Sequence, residues 1–147
     1  MNQLRKIRAF TLVEMLLVVA IISILAAGAI SHFSNAAQES RDIVTRQQLA
    51  VVQESLNTWI SREIGKVTTS GQPGATVASV LTAYNAATTV NARYDLFKAY
   101  LDEPSQALFS GDNGTGRLTT QAMRDTNRYL LLPDWTTGSY PKVQLFP

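Results

Sequence analysis

Residues 10–30, FTLVEMLLVVAIISILAAGAI, form an apolar run of 21 residues with a single charge, Glu14, and no proline. As an α-helix rising ~1.5 Å per residue, the run would reach about 31 Å, close to the ~30 Å hydrocarbon core of a bilayer. A soluble domain of this size seldom has room to bury such a segment on all sides. The whole chain has 147 residues, the length of one ordinary domain. The run therefore constrains the reading most: it is long and apolar enough to enter a membrane, and the remainder is small enough for one modest head.

The bulk numbers mislead until they are divided along the chain. There are 13 Lys+Arg against 11 Asp+Glu, a net charge of +2, with a sequence pI near 9.1 and a mean hydropathy of 0.00. Arg5, Lys6 and Arg8 all lie in the first nine residues, MNQLRKIRA, which hold no acid. From Phe10 onward, 10 basic residues face 11 acidic ones, a net charge of −1. The basic balance orients the N-terminus toward the cytoplasm and gives no support for a nucleic-acid partner. The absence of cysteine excludes disulfides, thiolate metal sites and a cysteine nucleophile. His32 is the single histidine, too few for an imidazole-built metal site, and a Ser-His-Asp triad would have to use it.

Beyond Ile30 the apolar pattern narrows to a stripe. Leu49, Val52, Leu56, Ile60 and Ile64 recur at steps of three or four, the helical period. One long helix is predicted from about Phe10 to Ile64, apolar all round at first and amphipathic later, with Gly65 as its stop. The first proline is Pro73, so no proline bends this helix. Residues 68–74 read as a loop, and Val77–Tyr84 and Tyr94–Leu101 as short helices, the second ending before Glu103-Pro104. Residues 110–116, SGDNGTG, read as a second loop, 119–127 as a helical turn, and 129–132 and 143–146 as short strands. The sum is a small α+β head. Trp59 is expected to be buried against it. Trp135 and Tyr140 flank a turn, either as exposed contacts or as core.

Three readings of the N-terminus compete. A secretory signal would place its cut after Ala27-Gly28-Ala29, but the helical pattern runs straight past that point. A plain signal anchor explains the length but not Glu14. A charge at the centre of an inserting helix costs about 2.5–3.5 kcal/mol and calls for a partner.

The third reading comes from resemblance. Arg8-Ala9-Phe10-Thr11-Leu12-Val13-Glu14, followed by the unbroken run from Met15 to Ile22, resembles the N-terminal signature of type IV prepilins and type II secretion pseudopilins. The resemblance implies a pilin-like α+β lollipop. Residues 1–9 are a leader that is removed, 10–30 the transmembrane and filament-core helix, 31–64 its amphipathic continuation and 65–147 the globular head. It implies cleavage by a prepilin peptidase between Ala9 and Phe10, where alanine stands in the family's usual glycine position. It implies N-methylation of Phe10 and a register role for Glu14, whose carboxylate meets the N-terminal amine of a neighbouring subunit.

The implied partners are the peptidase, other pilin or pseudopilin subunits, an inner-membrane assembly platform and the lipid bilayer. The implied location is the bacterial inner membrane with a cytoplasmic N-terminus, then a periplasmic pseudopilus or an extracellular pilus. Neither catalysis nor a cofactor is implied. The rival is a signal-anchored extracytoplasmic binding or enzymatic domain that does not polymerise. Asp112 and Asn113 are the weak candidates for calcium, since some pseudopilins bind it in a C-terminal loop, although the spacing is not that of an EF-hand. His32 is placed at the membrane–water junction, and Arg41, Asp42 and Arg46 are candidates for ion pairs between subunits.

Overall fold

A computed structural model describes residues 10–66 and 75–147, with the side chains of 30–32 and 34 outside the description. The leader, including Ala9, the 68–74 loop and the His32 side chain thus lie outside the described residues. The secondary structure is α1 (Leu12–Gly65), α2 (Val77–Ala86), α3 (Val90–Phe97), a 3-10 turn (Lys98–Tyr100), α4 (Glu103–Leu108), β1 (Ser110–Asp112), β2 (Arg117–Thr119), α5 (Gln121–Asp125), β3 (Tyr129–Leu131) and β4 (Gln144–Phe146). Tertiary contacts divide the chain into two units, with the boundary after Ser40.

The first unit is the leading half of α1. The large apolar side chains from Leu12 to Leu25 are exposed, and the stretch Leu12–Ala29 is long and apolar enough to cross a membrane. Its polar hydroxyl at Ser23 donates to the Val19 carbonyl at 2.7 Å, one turn back. That bond removes a donor that hydrocarbon could not satisfy.

The second unit is the head. Val52, Leu56, Trp59 and Ile60 of α1 point into it at helical spacing and are buried. They meet Val80 and Tyr84 of α2, Tyr94 and Phe97 of α3, and Leu118 and Leu130 of the sheet. Trp59 is buried as its position on the stripe predicts. The sheet order is β1-β2-β3-β4, antiparallel throughout, with Leu118 opposite Leu130 and Leu130 opposite Leu145.

Every helix starts on a side-chain cap. Thr76, Thr89, Asp102 and Thr120 accept from the backbone N–H of the residue three positions on, at 3.2–3.3 Å. Each such cap contributes about 1 kcal/mol and fixes where a short helix begins. In Asp102 the Ser105 hydroxyl and N–H hold the carboxyl below its ordinary range.

Two sequence readings are corrected here. Residues 110–116 are not a plain loop: they form β1 and the turn of a hairpin with β2, so the sheet has four strands rather than two. Strands β1 and β2 are three residues long and Leu118 is the only fully buried side chain in that pair, so no alternation is there to read. The chain also re-enters a helix at Glu103 rather than merely ending one. Pro104 sits in the first turn of α4, where a missing N–H costs nothing.

Candidate functional site

The start of α1 is built from Phe10, Thr11 and Glu14. Thr11 stands immediately before the helix, and its hydroxyl accepts from the Glu14 N–H at 3.2 Å. Glu14 reaches back: its Oε2 accepts from the Thr11 N–H at 2.9 Å and from the Thr11 hydroxyl at 3.0 Å. This is a reciprocal capping box, which satisfies donors that an α-helix leaves open at its N-terminus. The same carboxylate also lies at the positive end of the helix dipole.

The box leaves Glu14 half engaged. Oε2 takes both Thr11 donors, while Oε1 has no hydrogen-bond partner among the described residues. Phe10 is 74% exposed and Leu12 76%. The carboxylate is therefore held against Thr11 through one oxygen, four residues along the chain from Phe10. The hydropathy argument treats Glu14 as an unexplained cost. The Thr11-x-x-Glu14 spacing was the missed signal: it states a local role for that residue.

The other candidates fall elsewhere. Asp112 closes the β1–β2 turn, its Oδ1 accepting from the Gly114 N–H at 2.9 Å and its Oδ2 from the Thr115 hydroxyl at 2.7 Å. Those bonds, Thr115 first, hold its carboxyl below the usual range. Asn113 turns away from it, accepting from the Asn91 N–H at 3.1 Å and tying the turn to α3. The two side chains are not brought together as a ligand set, and no group of three or more metal-ligating residues occurs among the described residues. Asp42 pairs with Arg128 of its own head at 2.6 Å. Trp135 is buried, whereas Tyr140 is 55% exposed with its ring 5.5 Å from that of Trp135.

Periodicity could not show what holds the long connection between β3 and β4. Asn85 of α2 grips Trp135 at both backbone groups, accepting from its N–H and donating to its carbonyl, each at 2.8 Å. Gln53 of α1 does the same further on, donating to the Pro141 carbonyl at 3.1 Å and accepting from the Val143 N–H at 2.8 Å. Two amide side chains thus imitate strand pairing where the backbone offers none. Arg93 of α3 adds a third tie. It donates to the carbonyls of Ala87 and Leu132, pairs with Asp134, and lies 5.1 Å over the Tyr84 ring.

An exposed, apolar single-span helix with a capped, carboxylate-bearing start, on a chain with a small α+β head, defines a membrane-anchored class of protein. Residues 4–30 match the prokaryotic N-terminal methylation motif, the prepilin-type signature. The match supports a type IV pilin- or pseudopilin-like precursor. No curated protein and no solved structure matches the chain.

Proposed function

We propose that this chain is a structural, non-enzymatic subunit of a pilus-like filament, a type II secretion pseudopilus or a type IV pilus. The supporting observation is the pairing of the methylation motif over residues 4–30 with a helix whose apolar surface is uncovered among the described residues. Lipid satisfies that surface before assembly and neighbouring subunits satisfy it after. The proposed division is leader 1–9, span 10–30, amphipathic continuation 31–64 and head 65–147.

In this reading the peptidase cuts between Ala9 and Phe10 and methylates the new Phe10 amine, which keeps its positive charge. Glu14 of an incoming subunit then meets that amine on a neighbour. A lone carboxylate in hydrocarbon is costly, and the cation offsets it only at the correct axial register. The capping box supports the reading because it leaves Oε1 open for such a cation. The precursor sits in the inner membrane with its N-terminus in the cytoplasm, and an assembly platform draws subunits into the fibre.

Mass spectrometry of the membrane-extracted chain tests the processing, with methyl-Phe10 as the expected first residue. Retention of Met1 would instead support an uncut signal anchor, and a start near Ile30 a secretory signal. Glu14→Lys tests the register step. Incorporation into filaments is expected to fall by about tenfold or more, with membrane insertion unchanged. Normal filament yield from that variant would overturn the mechanism.

A further inference from the structure

The head has two grooves on neighbouring flanks of the exposed ridge of α1, and their charges are opposite. The larger, about 780 Å³, runs between α1 and the connection before β4, and its walls include Leu49, Ala50, Tyr140 and Val143. Its charged residues are Arg46 and Lys142, and no acid lines it. The smaller, about 260 Å³, lies between α1 and the 3-10 turn and is lined by Val51, Glu54, Tyr100 and Asp102, with no base among the described residues. Glu103 stands next to Asp102 and is exposed. A cation, Arg62, lies 5.9 Å over the ring of Tyr100, which lines that groove.

Four ion pairs lie within the head: Arg93 with Asp134, Lys98 with Asp95, Lys66 with Glu63 and Arg128 with Asp42. Arg46, Lys142, Glu54 and Glu103 take part in no ion pair or side-chain hydrogen bond among the described residues. Two of the unpaired cations thus line one groove, and two of the unpaired carboxylates stand on the flank of the other. One flank adds an apolar groove with a half-exposed tyrosine, the kind of anchor that carries binding energy.

We propose that the Arg46–Lys142 groove receives the Glu54–Glu103 flank of a second copy of this chain. The contact is heterologous, one surface against a different one, so each copy keeps a free groove and a free flank. Such a contact propagates into an open helical array rather than closing a dimer. The proposal rests on the filament reading above and names the head surfaces that this reading leaves unspecified. Opposite charge selects the neighbour and its register, and the apolar walls supply the buried area.

Charge reversal in the full-length chain tests this. Arg46→Glu with Lys142→Glu reverses the groove, and Glu54→Lys with Glu103→Lys reverses the flank. All four side chains are exposed, and Asp102 keeps its cap on α4. Each reversal alone is expected to cut filament yield by about tenfold, and the two combined to restore it. Unchanged yield from either reversal, or no recovery in the combined variant, would overturn the interface while leaving the filament reading intact. Absence of any filament from the unaltered chain would overturn both, because an open contact must propagate.

Discussion

The two halves of α1 share one backbone geometry and face opposite demands. Up to Ser40, Leu16, Leu17, Ile21 and Ile24 are exposed around the helix. After Arg41 one apolar stripe turns into the head, and Val52, Leu56 and Ile60 on it are essentially inaccessible, while Ile43 and Val51 stay exposed. Helix propensity cannot account for the difference, since both halves are helical. Solvent does: the first half is soluble in hydrocarbon on every face, the second only where the head covers it. The halves also differ in how they treat polar groups. In the first, Ser23 is folded back on its own helix, as Thr45 and Ser55 are in the second. In the second, Gln53 reaches across to the backbone of another segment, and Gln48 accepts from the Thr120 hydroxyl at 2.9 Å.

The contrast can be broken by matched leucines. Leu56→Ala is expected to destabilise the head by about 3 kcal/mol, the cost of a core cavity, while Leu16→Ala leaves head stability unchanged. Both tryptophans lie in the head core, so denaturant unfolding in detergent followed by tryptophan fluorescence reads the head alone. A comparable loss from Leu16→Ala would erase the distinction between the halves. Arg93→Ala is expected to cost about 2–3 kcal/mol, because it leaves two carbonyls and the Tyr84 ring without their cation. Gln53→Ala should cost about 1–2 kcal/mol and loosen the segment around Pro141, visible as faster amide exchange at Val143.

The smallest effect has the opposite sign. The Tyr84 hydroxyl is fully buried with no hydrogen-bond partner among the described residues, so Tyr84→Phe is expected to stabilise the head by about 1 kcal/mol. Burial pushes that phenol from 10.0 up to about 12, a rise only partly offset by Arg93. The native head therefore holds a proton that the unfolded chain has released. Its contribution is complete below pH 10 and disappears as pH rises through about 12. Tyr94, raised likewise to about 12 chiefly by burial, adds to the same alkaline loss. Tyr84→Phe should shrink the slope of stability against pH in that window without abolishing it.

Much of this was legible in the sequence, and the reasons are physical. A 21-residue apolar run and a stripe from Leu49 to Ile64 are long, repetitive signals, and both appear where the pattern puts them. Strands β3 and β4 were visible because turn residues bound them and apolar side chains fill them. Strand β1 was not, since Ser110, Gly111 and Asp112 follow no alternation, and Gly111 is packed so closely on α3 that an added Cβ would strike Asn91. At the N-terminus, motif and charge single out Phe10 and Glu14, while the Thr11 contacts become visible only in the structure. The amide grips of Gln53 and Asn85 join residues 88–90 and 50 positions apart, and single-residue polarity says nothing about such distance.

Those two grips also have an evolutionary consequence. They hold the connection between β3 and β4 by its backbone, at Trp135 and again at Pro141 and Val143. Between the anchor points, Thr136 to Ser139 are exposed, and Gly138 takes a positive φ of 97°. The identities of the other three residues there carry no burden of folding. Natural variation can rewrite this outward turn, glycine aside, while the head beneath it stays the same.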